Sequence, residues 1–587
     1  MVAALATIAV AISVAAPAAA PPLTAPSVYL TVDYQARVVG QRAIGLGQAV
    51  DAGDVNGDGL PDALVSAPGR RSIVYVVYGR RGWRTTTAAG TLTPSRGYRI
   101  VTDADVQTLM PVGDGGDVNG DGVPDQLVGI PNGAGRVYVV YGQRRADAGA
   151  IDLDDLKPSE GYQIEGAPGD SAGTDVADAG DVNGDGVPDQ LVGAPQGFEK
   201  PGRAYVVYGR RPGGPVDLAG LSPERGYRME GAPFDEAGDS VRSAGDVNVD
   251  GVPDQLVGGM SDDHAYVVYG QRTPTAGTIE LGVPGSWGYG MHGVPVTLTG
   301  ASVANAGDVN DDGVPDALVG APACEADAPP TATVYVVYGQ RTPPQDVIDL
   351  ANLSASLGYS VVDTRGACAG ASVVGMPDLN GDGVPDQLIG AFGARWAGGD
   401  GAAYLVYGQR TSPQRVDLAQ LQPDEGYAIG GLKAAETGWF VADAGDVDGD
   451  RAEDAWVWAP NYSATPTSTG AVYLVGPPQP AATPVSTGAS LTLGRVAIRT
   501  ACAALPGTRC SGTLALRGTG RRPPIYGSAR FSLQANGSTA VSVPLTRSAV
   551  LRLRRTHRLT AEARAVTRRT APAPSQTRVR RVVLRAG

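Results

Sequence analysis

One nine-residue segment, with oxygen-bearing side chains at positions 1, 3, 5 and 9, occurs seven times in this chain of 587 residues. The copies are Asp54–Asp62, Asp117–Asp125, Asp181–Asp189, Asp246–Asp254, Asp308–Asp316, Asp378–Asp386 and Asp446–Asp454; two read DVNGDGVPD, and four others differ from it at a single position. They recur every 62–70 residues. A period of this length means one structural unit used many times over.

The residue types suit a hard divalent cation, which takes six to eight oxygen ligands at about 2.3–2.6 Å. Position 1 is Asp54, Asp117, Asp181, Asp246, Asp308, Asp378 and Asp446. Position 3 is Asn56, Asn119, Asn183, Asn248, Asn310, Asn380 and, in the last copy, Asp448. Position 5 is Asp58, Asp121, Asp185, Asp250, Asp312, Asp382 and Asp450. Position 7 can offer only a backbone carbonyl, from Leu60, Val123, Val187, Val252, Val314, Val384 and Ala452. Position 9 closes the shell with Asp62, Asp125, Asp189, Asp254, Asp316, Asp386 and Asp454. An EF-hand closes with Glu at position 12 and lies between helices. Here closure comes at position 9 and β-type sequence follows at once, so the loop belongs in a β-hairpin. The alternative is an Asx-rich turn without metal. Repeated carboxylates in so short a span repel one another without a cation, which favours calcium (Ca2+) at up to seven sites.

The copies differ where backbone freedom matters. Most carry Gly at positions 4 and 6, where so tight a loop calls for positive φ. Val249 and Asp311 replace the first Gly in the fourth and fifth copies, and Arg451 replaces the second in the seventh. The seventh is therefore expected to depart most from the common geometry.

Around each loop the same parts return. A short apolar strand follows it, then a strand of the Val-Tyr-Val-Val-Tyr-Gly kind, as at 74–79 and 334–339. A D-L segment comes next (151–153, 216–218, 416–418), and then a Gly-Tyr strand beginning at Gly97, Gly161, Gly226, Gly288, Gly358 or Gly426. Four short strands per repeat imply an all-β array. The seventh repeat lacks its outer strand, while residues 35–40 precede the first loop with no blade of their own. The N-terminal strand can fill the gap and close seven four-stranded sheets into a β-propeller, which leaves only short protected edges.

This pattern resembles the FG-GAP repeats of the integrin α-subunit N-terminal β-propeller. The segment 178–195, DAGDVNGDGVPDQLVGAP, carries the likeness most fully, and the likeness covers about 28–476. It implies calcium loops on one face, extracellular adhesion, and protein recognition through loops on the opposite face; the ligand expected here is an extracellular protein or polysaccharide. That family uses calcium loops in only some blades, so seven copies are a departure. In this geometry Cys324 and Cys368 come together on the face away from the metal, linking neighbouring blades. Cys502 and Cys510 are spaced for a small loop. Free thiols are the alternative for both pairs.

The rest of the organisation follows from composition. Residues 1–20 read as a secretory signal, with an apolar stretch and a small-residue cleavage site but no positive n-region. No segment is long and apolar enough for a membrane-spanning helix, so a secreted or wall-associated monomer is expected. Residues 477–488 read as a Pro-rich linker, and 489–587 as a small Ig-like β-sandwich whose strands include 551–554. From residue 480 onward there are 19 Arg and one acid, Glu562. The remainder is then near −31, of which 22 acids are the proposed loop ligands. The Arg-rich module could bind an anionic wall polymer or lipid head groups, although a solvated Arg-rich surface is the simpler account. Aromatic residues are too few there for nucleic-acid stacking.

For catalysis the sequence offers little. The histidines are His264, His292 and His557, and no Ser elbow, zinc motif or phosphate loop is present. A binding module is the expectation. An extracellular hydrolase or lyase, working with paired carboxylates on the face opposite the loops, is the alternative.

Overall fold

The computed structural model describes residues 27–586 apart from short connecting segments, the longest of them 462–469 and 568–575. The expected signal, residues 1–20, lies outside the described residues. The chain divides into two compact units, one built chiefly of Val28–Gly476 and the other of Pro477–Gly587.

The first unit is a seven-bladed β-propeller. In the third blade the inner strand Asp175–Gly180 pairs antiparallel with Asp189–Ala194, and this with Arg203–Val207 and then Gly226–Glu230. The acidic loop joins the first two strands. The second and third strands are buried along almost their whole length, because each blade is covered on both faces by its neighbours. The cores accordingly lie between blades. One of them mixes Leu191, Val206 and Tyr227 with Val241, Val257 and Tyr266 of the next blade. In the first six blades the outer strand begins with Gly for a steric reason: Gly161 has φ of +148°, and a Cβ there would sit 2.0 Å from the Val139 carbonyl oxygen.

The ring closes with the N-terminal strand. Ala36–Val39 runs antiparallel to Ala471–Val475, with Val38 opposite Val472. The D-L segments do something the sequence pattern does not disclose. Each crosses to the preceding blade and adds a fifth, parallel strand to its outer edge, as Ala150–Asp152 does to Gly97–Thr102. A one-turn 3-10 helix then begins, and the Asp of the D-L pair caps it: Asp152, Asp217, Asp349 and Asp417 each accept the N–H two residues on. Ser27–Tyr29 supplies this fifth strand to the sixth blade and Thr86–Ala88 to the seventh. The N-terminal segment thus enters two sheets.

Cys324 and Cys368 are joined in a disulfide with Cα atoms 5.1 Å apart. One lies in the turn between the second and third strands of the fifth blade, the other in the connection to the sixth. Replacing both by Ser is expected to lower stability by about 2–4 kcal/mol, read as a lower denaturation midpoint.

The second unit is a sheet of eight strands around a core that includes Val496, Ile498, Leu514, Leu516, Val543 and Leu553. Cys502–Cys510 bridges Arg495–Ala503 to Arg509–Arg517. Two sequence expectations need correction. Ala481–Pro484, inside the expected linker, pairs with Arg495–Ala503. Residues 551–554, expected as a strand, belong to the helix Arg547–Thr556. Their Leu-Arg-Leu-Arg alternation mimics a strand, yet the buried residues are Ala549 and Leu553, four apart, while Leu551 is 60% exposed. The Thr546 hydroxyl caps the helix by accepting from Ala549 N, and capping supplies the start that alternation hides.

Candidate metal centres

All seven loops form, and all seven lie at the same end of their blades, because each joins a first strand to a second. Local hydrogen bonds give them one shape. The position-1 carboxylate accepts the N–H groups of positions 5 and 6, as Asp181 does from Asp185 and Gly186 at 2.9 Å each. The same pair of bonds recurs down to Asp446 with Asp450 and Arg451. Position 3 accepts from the N–H of position 5, and position 5 from that of position 7. These bonds fix the orientation of the side-chain oxygens of positions 1, 3 and 5 in loops two to seven. The position-7 side chains of the first six loops are buried, from Val314 at 2% to Leu60 at 6% exposed, which anchors the backbone whose carbonyl would complete the shell.

Position 9 has a second task. Asp189 is fully buried. Its Oδ2 accepts Val182 N and Asn183 N, and its Oδ1 accepts Gly209 N in the turn after the third strand. The equivalent bond to a Gly N–H is made by Asp62, Asp125, Asp254, Asp316 and Asp386. Burial pushes the carboxyls of all six up to about 7, against the pull of those backbone N–H groups. Position 9 therefore ties the loop to the far side of its own blade as well as standing at the candidate site.

The seventh loop departs from the others at position 3. In loops two to six the Asn side-chain N–H points at Oδ2 of the position-5 Asp, at 3.0–3.2 Å. Asp448 has no N–H to offer. The carboxylate oxygens of Asp446, Asp448 and Asp454 instead lie within 4.8 Å of one another. Among the described residues this is the clearest cluster of acids able to hold an ion. Three hard, anionic oxygens that close repel unless a cation is shared between them, so the donor set fits a divalent cation such as calcium.

The loop substitutions behave as their positions demand. Val249 has φ of 61°, Asp311 63° and Arg451 71°, all in the left-handed region that glycine occupies in the other copies. Val249 is β-branched and 49% exposed, so it carries the strain without a packing reward. Val249→Gly is expected to stabilise the protein by about 1 kcal/mol, seen as a raised melting temperature. An unchanged or lower melt would show that the loop does not hold this conformation.

Two residues that support the loops escaped the sequence reading. In loops two, three, four and six a Gln follows position 9. It donates to the carbonyl of the loop Pro and accepts the hydroxyl of the Gly-Tyr tyrosine of the preceding blade, as in Tyr227–Gln255 at 2.6 Å. Tyr98–Gln126, Tyr162–Gln190 and Tyr359–Gln387 repeat it. An Arg from the Gly-Gln-Arg that ends the third strand then reaches back to a loop carbonyl: Arg144 to Gly122, Arg272 to Gly251, Arg410 to Gly383. The recurring DQ and GQR pairs were the available signals.

Residues 46–77, which contain the first loop and the two strands after it, match the FG-GAP repeat family model. The ring is an FG-GAP, integrin-α-like propeller. The chain is 27% identical over 285 residues to integrin alpha pat-2 of Caenorhabditis elegans, covering 46% of this chain and 21% of that protein. It is 32% identical over 193 residues to integrin alpha-7 of Homo sapiens, covering 32% and 15%. A third likeness, 33% over 170 residues, is to the phosphatidylinositol-glycan-specific phospholipase D of Bos taurus, covering 27% and 16%. The FG-GAP chain thus spans about a fifth or less of these curated relatives.

Two of the three histidines come together. His264 and His292 stand opposite each other on neighbouring strands of the fourth blade, with rings stacked 3.9 Å apart. His264 Nδ1 is 3.4 Å from the buried Asp235 carboxylate. They lie on the FG-GAP ring face opposite the loops.

Proposed function

We propose that this chain is an exported, calcium-dependent adhesion module that recognises a protein or polysaccharide through the ring face opposite the acidic loops. The observation that carries this reading is the position of backbone strain. Fifteen described non-glycine residues have φ in the left-handed region, and ten of them lie in the second-to-third-strand turns or the blade-to-blade connections. Antiparallel alternation puts both kinds of connection at the end of the ring away from the metal loops. Such conformers cost about 1–3 kcal/mol each and collect at ligand sites, where the surroundings hold them. Two of the ten, Phe234 and Val296, are also 59% and 52% exposed. Calcium is the cation that the all-oxygen donor set suits. The two disulfides suit an oxidising compartment, as does the likeness to integrins.

The test is binding of the intact protein to immobilised extracellular proteins and polysaccharides, with calcium and then with chelator. Binding should require calcium and should weaken at least tenfold in the double variant Phe234→Ala, Val296→Ala. Binding untouched by that variant would put recognition elsewhere. Hydrolysis or lysis of a polysaccharide, abolished by Asp262→Asn on that face, would replace the adhesion reading with an enzymatic one.

A further inference from the structure

We propose that the outward face of the C-terminal sheet is a binding surface for a linear phosphate-bearing polymer, its phosphates held by arginine. The inference is independent of what the propeller recognises. Four strands lie side by side: Gln576–Arg585, Arg558–Thr567, Arg509–Arg517 and Ile525–Gln534. Leu559, Ala561, Ala563 and Ala565 point into the core with Leu514, Leu516, Val582 and Leu584, so the alternate positions face outward. The register places Arg558 opposite Arg585, and Glu562 between Arg581 and Arg517. Arg564 stands opposite Ala515, and Arg530 opposite Thr513. One sheet face thus gathers six arginines around the only acid of residues 480–587.

Like charges directly opposite each other across strands destabilise a sheet. Among the described residues none of the six forms an ion pair within 4.0 Å. The Nε–H groups of Arg517 and Arg564 are buried and lack an acceptor there. A bound polyanion would offset the charge through the exposed guanidinium groups of Arg530, Arg558, Arg581 and Arg585, and guanidinium matches phosphate bidentately. Same-face residues repeat about every 7 Å along a strand, so successive groups of one extended chain can be met by successive arginines. A base-stacking or bilayer partner fits less well. Tyr526 and Phe531, at 6% and 8% exposure, are buried in the core, leaving neither a stacking platform nor the aromatic anchors of a membrane-surface element.

The test titrates the full chain, calcium present, with labelled inorganic polyphosphate at several salt concentrations. Affinity should fall steeply with salt, as counterion release requires. Arg530→Gln, Arg564→Gln, Arg581→Gln together should weaken binding at least tenfold and flatten the salt slope. Arg552→Gln, Arg554→Gln, Arg555→Gln on the helix remove the same charge and should cost under threefold. Should the first variant melt early, the exposed pair Arg530→Gln, Arg581→Gln is used, with at least a threefold loss expected. No binding by the unaltered protein, or equal losses from face and helix, would overturn the proposal. So would tighter binding to phosphatidylglycerol vesicles or to single-stranded oligothymidylate than to polyphosphate, which would give the face to lipid or to nucleic acid.

Discussion

Chelating divalent cations is expected to lower the melting temperature of the propeller by roughly 10–20 °C, recovered by adding calcium. A cation present at a hundred times its dissociation constant stabilises by about 2.7 kcal/mol per site, and the ring has up to seven loops of one design. A domain of this size loses roughly one degree per kcal/mol. A melt unchanged by chelator would reduce the loops to Asx turns.

The pH dependence should change sign with the metal. Six position-9 carboxyls are raised from 3.8 to about 7, chiefly by burial. Four acids on inner strands shift the same way for the same cause: Asp51 to about 7, Asp178 to about 6, and Asp114 and Asp443 upward. A carboxyl whose folded pKa exceeds its unfolded value takes up a proton on folding. Its contribution is therefore fully present below about pH 4 and lost as pH rises through about 7. In chelator the ring should melt higher at pH 5 than at pH 7. With calcium the order should reverse, because protons then compete with the ion for the same oxygens. Parallel pH curves in the two conditions would mean that no cation engages these acids.

The second large effect separates position 9 from position 1. Asp189→Ala should destabilise by about 3–5 kcal/mol with or without calcium, because it orphans two buried backbone N–H groups and a third that is half-buried. Asp181→Ala should cost 1 kcal/mol or less in chelator, since its partners Asp185 N and Gly186 N are exposed to water. With calcium its cost should rise to that of one lost site. Denaturant midpoints of the two variants in both conditions check this. Equal behaviour of the pair would show that position 9 is no more structural than position 1.

Much of the ring was legible in advance because it repeats. The loop positions, the Gly that opens six of the outer strands and the missing strand of the last blade all follow from local chemistry that repeats. The left-handed backbone at Val249 was legible for the same reason, since Gly holds that place in most other copies. The inter-blade partners of the loops were not. Gln255 reads as an ordinary strand residue until Tyr227 arrives from the preceding blade. The fifth strands were hidden likewise, because a two- or three-residue parallel pairing has no periodicity of its own. In the tail, where nothing repeats, alternation at 551–554 pointed to a strand, and the helix cap and the Ala549–Leu553 spacing outweighed it.

The sequence by itself determined the repeat number, the places of the acidic loops and the N-terminal closure, because each depends on residue types at fixed short spacing. Only the tertiary structure decided which acids meet. Asp448, the acid that replaces Asn in the seventh copy, stands where three carboxylates converge. Six arginines scattered through the tail became one charged face only when strand register set them side by side. Convergence of like charge across strands is a long-range property. Strand register imposes it in the tail, and no local pattern announces it there.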